Sequence, residues 1–277
     1  MERAQERIED NIIIVRGGGD IATGTIHKLF QCGFHVLVLE VSKPTAIRRQ
    51  VAFSEAVYEG TACVEGVVCK KVDTIEEVLQ CFKTGIIPLL IDETCQCLKE
   101  IKPIAVIDAI LAKRNLGTKK SMANITIGLG PGFVSGEDVD IVIETKRGHN
   151  LGRIIRCGSA EKNTGVPGVI AGYGKERVIH ACVDGIMENK KEIGDIVTEG
   201  EVIATIGDEK VIATITGILR GIIRNGFSVK KGLKIADIDP RQEERQNCAT
   251  ISDKARCIAG GVLEALLYSL HTKRDCK

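Results

Sequence analysis

The chain has 277 residues, enough for one large domain or two modest ones at about 150 residues per domain. Lys plus Arg is 38 and Asp plus Glu is 37, and the aromatics are six Phe, three Tyr and no Trp. Neither a basic field nor stacking platforms for nucleic acid are present, so no nucleic-acid partner is expected, and 44% hydrophobic content beside 27% charge excludes an intrinsically disordered chain.

The first ten residues, MERAQERIED, are charged and contain no apolar h-region, which predicts no signal peptide. Residues 11–16 (NIIIVR) form a short β-branched run, the first predicted strand. Gly17-Gly18-Gly19 follows, then a periodic helical segment over residues 21–32 that Gly33 stops. Residues 36–40 (VLVLE) supply a second strand. Strand, glycine turn, helix and strand make a βαβ start, and such crossovers imply a parallel sheet.

Further strands are expected at residues 67–69, 86–92, 104–108, 125–129 and 140–144, several of them ending on an acid. Acids at strand carboxyl ends fall along the edge where parallel α/β sheets bind ligands. Thr74 and Glu77 stand at capping-box spacing before a helix over residues 74–83. The nearly apolar stretches 104–112 and 258–270 each carry an acid and fall short of the ~18 residues of a membrane span. No membrane association is expected.

Near residue 175 the texture changes to short strands and regular glycines. Gly194-x-x-Val197-x-x-Gly200-x-x-Ile203-Ala204-x-Ile206 recurs 32 residues later as Gly226-x-x-Val229-x-x-Gly232-x-x-Ile235-Ala236-x-Ile238. Two related hairpin units are thereby predicted to face each other in a small β-sandwich. The spacing resembles the biotinyl/lipoyl-like, or barrel-sandwich hybrid, fold. Lys210 lies near the tip where lipoyl domains carry their modified lysine, but the spacing and neighbours favour an ordinary turn lysine. Residues 252–271 form an amphipathic terminal helix with its stripe on Ala255, Ile258, Ala259, Val262, Leu263, Leu266, Leu267 and Leu270. The expected fold is α/β: a Rossmann-like parallel sheet over residues 1–175, a barrel-sandwich hybrid over 176–240, and a C-terminal helix, 241–277, packing back on the core.

Gly17-x-Gly19-x-x-Ala22 fits the dinucleotide fingerprint, in which backbone free of side chains approaches a pyrophosphate at a helix N-terminus. Gly18 completes the turn, and Glu40 stands where an acid bonds a ribose hydroxyl. Asp20 either repels a phosphate or caps the helix. The competing reading is a glycine turn that packs the sheet and binds nothing. Arg48 and Arg49 are a candidate phosphate clamp, weighed against a solvated helix start. Asp108, Lys113 and Asn115 follow a strand end, as do Gly130 and Gly132, and Arg147 joins them as a candidate ligand contact. His149, alone in a polar, glycine-rich setting, is the candidate general acid or base, against the more common structural histidine. Cys95-x-Cys97 lacks the spacing of a zinc knuckle, so no metal site is expected; Cys97 is the candidate reactive thiol, and buried or idle thiols are the default. Eleven scattered cysteines in a chain read as having no leader point to reduced thiols in a cytoplasm.

Taken together, GGGDIATGTIHKLFQCGFHVLVLEVSKPTAIRRQVAFSEAVYEG, VIDAILAKRN, IGLGPGFVSGEDVDIVIETKRGHNLGR, NTGVPG, GILRGII, KIADIDPR and SDKARCIAGGVLEALL resemble the YqeB family of selenium-dependent molybdenum hydroxylase system proteins. These segments run from near residue 12 to near residue 268. The resemblance implies an accessory or maturation role, with a molybdenum hydroxylase apoprotein or its assembly machinery as partner, and it carries over no catalytic residue set. The expected ligand is a small phosphate-bearing cofactor, either of the molybdopterin type or NAD(P). An NAD-dependent oxidoreductase and a non-enzymatic partner-binding scaffold are the alternatives, and a homo-oligomer is compatible with each.

Overall fold

The computed structural model describes residues 11–163, 165 and 168–274. It is a mixed α/β structure with one large sheet, two smaller antiparallel sheets and a long helix near its C-terminal end. Among the described residues two compact units form. Residues 11–44, 53–163 and 251–274 make the first, and 45–52 with 165 and 168–250 the second. The change of texture near residue 175 therefore lies inside the second unit, which also claims residues 45–52 and 241–250.

In the first unit β1 (Ile12–Arg16) leads through α1 (Asp20–Gln31) to β2 (His35–Glu40). A short α2 (Ala56–Glu59) precedes the hairpin β3 (Thr61–Val64) and β4 (Val67–Val72). Then come α3 (Ile75–Lys83), β5 (Ile87–Ile91), β6 (Ala105–Asp108), β7 (Ile125–Leu129), β8 (Ile141–Ile143) and β9 (Ile154–Ile155), and finally α4 (Asp253–Arg274). The sheet order is β3-β4-β5-β2-β1-β6-β7-β8-β9. The seven strands from β4 to β8 run parallel, and β3 and β9 add an antiparallel strand at each edge. The chain moves one way from β1 to β2 and returns to the other side of β1 with β6, so strand order reverses between β1 and β6. Ligands of open α/β sheets bind at such a switch point, outside the strand carboxyl ends.

Each element follows from its residues. β1 is buried throughout, as expected of a parallel strand covered on both faces. Thr74 caps α3 by accepting the Glu77 N–H, and the Glu77 carboxylate returns to the Asp73 N–H at 2.7 Å. The β3–β4 turn, unread in the sequence, is Glu65-Gly66 with φ of 47° and 82°, the conformation of a two-residue hairpin. Ile12, Ile14, Leu37, Leu39, Val106, Val78 and Phe82 close a core between the sheet and α3. Helix α1 packs along α4, which also lies against β7, β8 and β9.

In the second unit β10 (Val178–His180), β11 (Gly185–Asn189), β12 (Ile196–Val197), β13 (Val202–Ile206), β14 (Glu209–Ile212), β15 (Gly217–Ile222), β16 (Ser228–Val229) and β17 (Lys234–Asp239) form two four-stranded sheets. Their orders are β10-β17-β15-β12 and β14-β13-β11-β16. The 32-residue repeat is β12–β13 and β16–β17. Each half lends its short strand to the sheet that holds the other half's long strand. Val197 and Val229, Ile203 and Ile235, and Ala204 and Ala236 are all fully buried in one core. Gly194, Gly200, Gly226 and Gly232 all have positive φ, so the repeat's glycines are turn glycines. Lys210 is exposed on β14.

Candidate functional site

The glycine turn lies at the carboxyl end of β1, at the switch point. Gly17 donates its N–H to Leu39 O at 2.8 Å and has φ of 94°; a Cβ there would stand 3.1 Å from Ala109 O and the Ile110 backbone. Gly18 is packed as tightly, since a Cβ would stand 2.9 Å from Ser54 N, which itself donates to Gly18 O at 2.8 Å. Gly19 differs, with nothing within 4 Å of a Cβ built on it. It is the N-cap of α1 and supplies no side-chain cap, so the first-turn N–H groups meet no acceptor from that residue. Asp20 is the first helical residue rather than the cap, where its carboxylate complements the helix dipole. Ala22 is buried, and Thr23 binds the turn by donating its hydroxyl to Gly18 O at 3.1 Å.

Glu40 closes one side of the turn. Its Oε1 accepts the Gly18 N–H at 2.6 Å and its Oε2 the Val41 N–H at 2.9 Å. Burial raises the Glu40 carboxyl above its ordinary range, and the two backbone N–H groups partly offset that.

Beneath the turn lies a charge pair that sequence reading missed. Arg16 and Asp108 are opposite partners in the β1–β6 register and almost fully buried. Arg16 donates to Asp108 Oδ2 at 3.2 Å, to the Thr118 hydroxyl, to Glu93 O at 3.0 Å and to Leu116 O at 3.2 Å. Thr118 donates to Asp108 Oδ2 at 2.6 Å, and Asp108 Oδ1 takes the Ile110 N–H at 3.1 Å. Asp108 is thus spent on holding the loops after β5 and β6. The only local hint was an arginine inside an apolar strand; its partners lie far along the chain.

The loop after β6 carries an exposed Lys113 with φ of 62°. Asn115 shapes that loop, accepting from the Gly117 and Thr118 N–H groups and donating to Thr118 O. Gly130 has positive φ and is packed against the Thr145 side chain, and a Cβ on Gly132 would stand 2.6 Å from Arg114 Cα. Both glycines therefore serve close packing between loops. Arg147 forms a two-pronged pair with Asp253 of α4 at 2.9 and 3.0 Å. His149 is exposed in the loop between β8 and β9.

Three further candidates stand elsewhere. Arg48 and Arg49 belong to the second unit rather than to the glycine turn's unit. There Arg48 donates to Asn247 O and Thr250 O, and Arg49 to Ile222 O at 2.9 Å, so both bind backbone carbonyls. Cys97 is buried beside Asp92; burial and the Asp92 carboxylate push its thiol far up, which disfavours the thiolate. Among the described residues no group of three or more His, Cys, Asp or Glu side chains is arranged to hold a metal ion.

Lys254 was also missed. It sits half-buried in the first turn of α4. Burial, then the charge of Arg147, lowers its ammonium below the usual range, while Asp20, Glu144 and Asp253 pull the other way.

Among known proteins, the chain is 49% identical over 260 residues to the uncharacterized protein YqeB of Escherichia coli (strain K12), a match that spans 94% of this chain and 48% of that protein. The chain spans about half the length of the curated relative it matches, and the identity supports the YqeB resemblance over the matched region. No protein-family model matches the chain. Solved structures with some likeness include the product-bound ectoine utilization protein EutE (DoeB) from Ruegeria pomeroyi, at 11% identity over 82% of this chain and 84% of that one, TM-score 0.25. An aspartoacylase family protein from Mesorhizobium loti matches at 9% identity over 73% of this chain and 56% of that one, TM-score 0.24. Likeness at this level defines neither the fold nor an activity. No helix among the described residues is long and apolar enough to cross a membrane.

Proposed function

We propose that this chain is an accessory or maturation factor for selenium-dependent molybdenum hydroxylases that holds a phosphate-bearing cofactor, molybdopterin or its nucleotide form, on the Gly17–Gly19 turn. In this reading the first unit is Rossmann-like, the second is a barrel-sandwich hybrid, and the protein works in the cytoplasm beside a hydroxylase apoprotein or its assembly machinery. The observation that carries it is the contrast within the turn: Gly17 and Gly18 are packed, whereas Gly19 faces open space at the start of α1. That opening leaves room for a ligand, and a phosphoryl oxygen fits the donors of a helix start. The process is the one that the family resemblance of the sequence implies.

The residues present fit such a group in part. The backbone of Gly19 and the first turn of α1 would hold the phosphate, and the exposed Lys113 is available at the same sheet edge. Asp20, at the first helical position, adds one negative charge beside such a phosphate. The cofactor would supply the metal-binding sulfurs; this chain would bind, orient and shield it.

Glu40 favours a second reading, an NAD-dependent oxidoreductase, because its carboxylate stands beside the turn at the end of β2, where a ribose diol is read. Titration calorimetry with the molybdopterin dinucleotide and, separately, with NADH decides between them. Binding of the molybdopterin dinucleotide alone is expected. Binding of NADH alone overturns the maturation reading, and binding of neither removes both. In a partner-maturation assay, Gly19→Asp is expected to abolish activation of the hydroxylase; unchanged activation would favour a scaffold whose turn holds nothing.

A further inference from the structure

Helix α4 opens with Ser252-Asp253-Lys254-Ala255. The Ser252 hydroxyl accepts the Ala255 N–H at 3.2 Å, and Asp253 receives both prongs of Arg147. Between them stands Lys254, a cation in the first turn of a helix, where the dipole disfavours positive charge. It is also half-buried, which costs an ammonium part of its hydration. Neither feature helps the fold.

The position is fixed from two sides. Ala255 packs on Gly24 of α1 so closely that a Cβ on Gly24 would lie 2.8 Å from Ala255 Cβ. Gly24 is about one helical turn along α1 from Asp20. From the segment between β8 and β9, a Cβ on Gly152 would lie 2.8 Å from Cys257 O. The first turns of α4 are therefore wedged between α1 and the loop after β8. The charges that act on Lys254 come from each of these elements: Asp20 from α1, Glu144 and Arg147 from the end of β8 and its loop, and Asp253 from α4 itself. Of these, Glu144 is already spent, taking the Thr145, Lys146 and Glu161 N–H groups at 2.7, 2.7 and 2.8 Å.

We propose that Lys254 is the cation that binds the phosphate of a ligand seated on the Gly17–Gly19 turn. The inference rests on the reading of that turn as a phosphate-bearing ligand's site, and it names a positive group for that phosphate. A phosphoryl oxygen between the start of α1 and Lys254 answers what the protein alone leaves poor. It replaces lost hydration, offsets repulsion from Arg147, and outweighs the single charge of Asp20. Ligand binding then raises the affinity of Lys254 for its proton. Affinity consequently falls as pH climbs through the depressed range of the free lysine, and binding in that range takes up a proton.

The experiment is calorimetric titration of the full chain with the molybdopterin dinucleotide and with ADP, from about pH 8 to pH 10, where the probes' phosphates stay fully ionised and an ordinary lysine stays charged through most of the interval. Wild type is expected to weaken across that interval and to take up protons, seen as a dependence of the heat on buffer ionisation. Lys254→Met should bind about ten- to fiftyfold more weakly at pH 8 and lose the slope. Lys254→Arg, which keeps its charge throughout, should bind within about threefold of wild type with no slope. Equal affinity in wild type and Lys254→Met, or a flat wild-type profile, overturns the role of Lys254 while leaving the turn's reading intact. Wild type that binds neither probe removes both. If Lys254→Met fails to fold, the slope lost or kept in Lys254→Arg decides.

Discussion

The carboxylate of Glu40 reaches from the end of β2 to the N–H of Gly18 at 2.6 Å, so that an acid side chain holds the middle of the glycine turn. Burial raises this carboxyl, so the folded state binds its proton more tightly than the unfolded chain does. The sign follows: stability from this group is fully present below about pH 4.5 and is lost as pH rises through the raised folded value. Glu40→Gln removes the titration. The stability difference between wild type and this variant should shift in favour of wild type on acidification and against it towards neutral pH, as measured by urea unfolding from about pH 4 to pH 7. A pH-independent difference would contradict the burial argument.

Arg16 and Asp108 are predicted to be strongly coupled. Arg16→Met strands a buried carboxylate and Asp108→Leu a buried guanidinium, and each should cost about 3–5 kcal/mol. The double variant should recover part of that loss, because neither charge is then left alone. A double-mutant cycle by urea unfolding measures the coupling, and additive losses would show that the pair contributes nothing jointly.

Two adjacent glycines of α4 should respond in opposite directions. A Cβ on Gly260 meets nothing within 4 Å, so Gly260→Ala should stabilise by up to about 1 kcal/mol through helix propensity. A Cβ on Gly261 would collide with the Gly152 carbonyl, so Gly261→Ala should destabilise by about 1–3 kcal/mol. Thermal unfolding of the two variants side by side checks both signs.

Native thiol labelling should divide the cysteines by burial. Cys32, Cys63, Cys157, Cys182 and Cys257 are exposed, whereas Cys69, Cys81, Cys95, Cys97 and Cys248 are buried. Iodoacetamide at neutral pH, followed by peptide mapping, should modify the first group and spare the second until denaturant is added. Rapid labelling of Cys97 in the native protein would revive it as a reactive thiol.

What the sequence discloses here is mostly local. The β1–turn–α1–β2 start is legible because its apolar runs, glycines and helix stop are neighbours in the chain. The Thr74 cap is legible for the same reason, and the 32-residue repeat because it is a comparison of the chain with itself. The glycine turn and Glu40 were found together since the motif fixes their spacing. The Arg16 network was not, because its meaning lies in Glu93, Asp108, Leu116 and Thr118, brought close only by the sheet. Arg48 and Arg49 looked like neighbours of the turn since they follow β2, yet the fold assigns residues 45–52 to the other unit. Lys254 reads as an ordinary helix-surface lysine until α1 and the loop after β8 close around it.

The packing of α1 on α4 also bears on how the chain acquires its structure. The two helices lie on opposite sides, in sequence, of the entire second unit. During synthesis the surface of α1 that Ala255 later covers has no partner until the second unit has been made. The first unit must therefore wait, partly open, for its final piece, and a pause or cut between residues 168 and 250 would strand it there. Proteolysis of stalled nascent chains should accordingly attack the α1 region until α4 emerges.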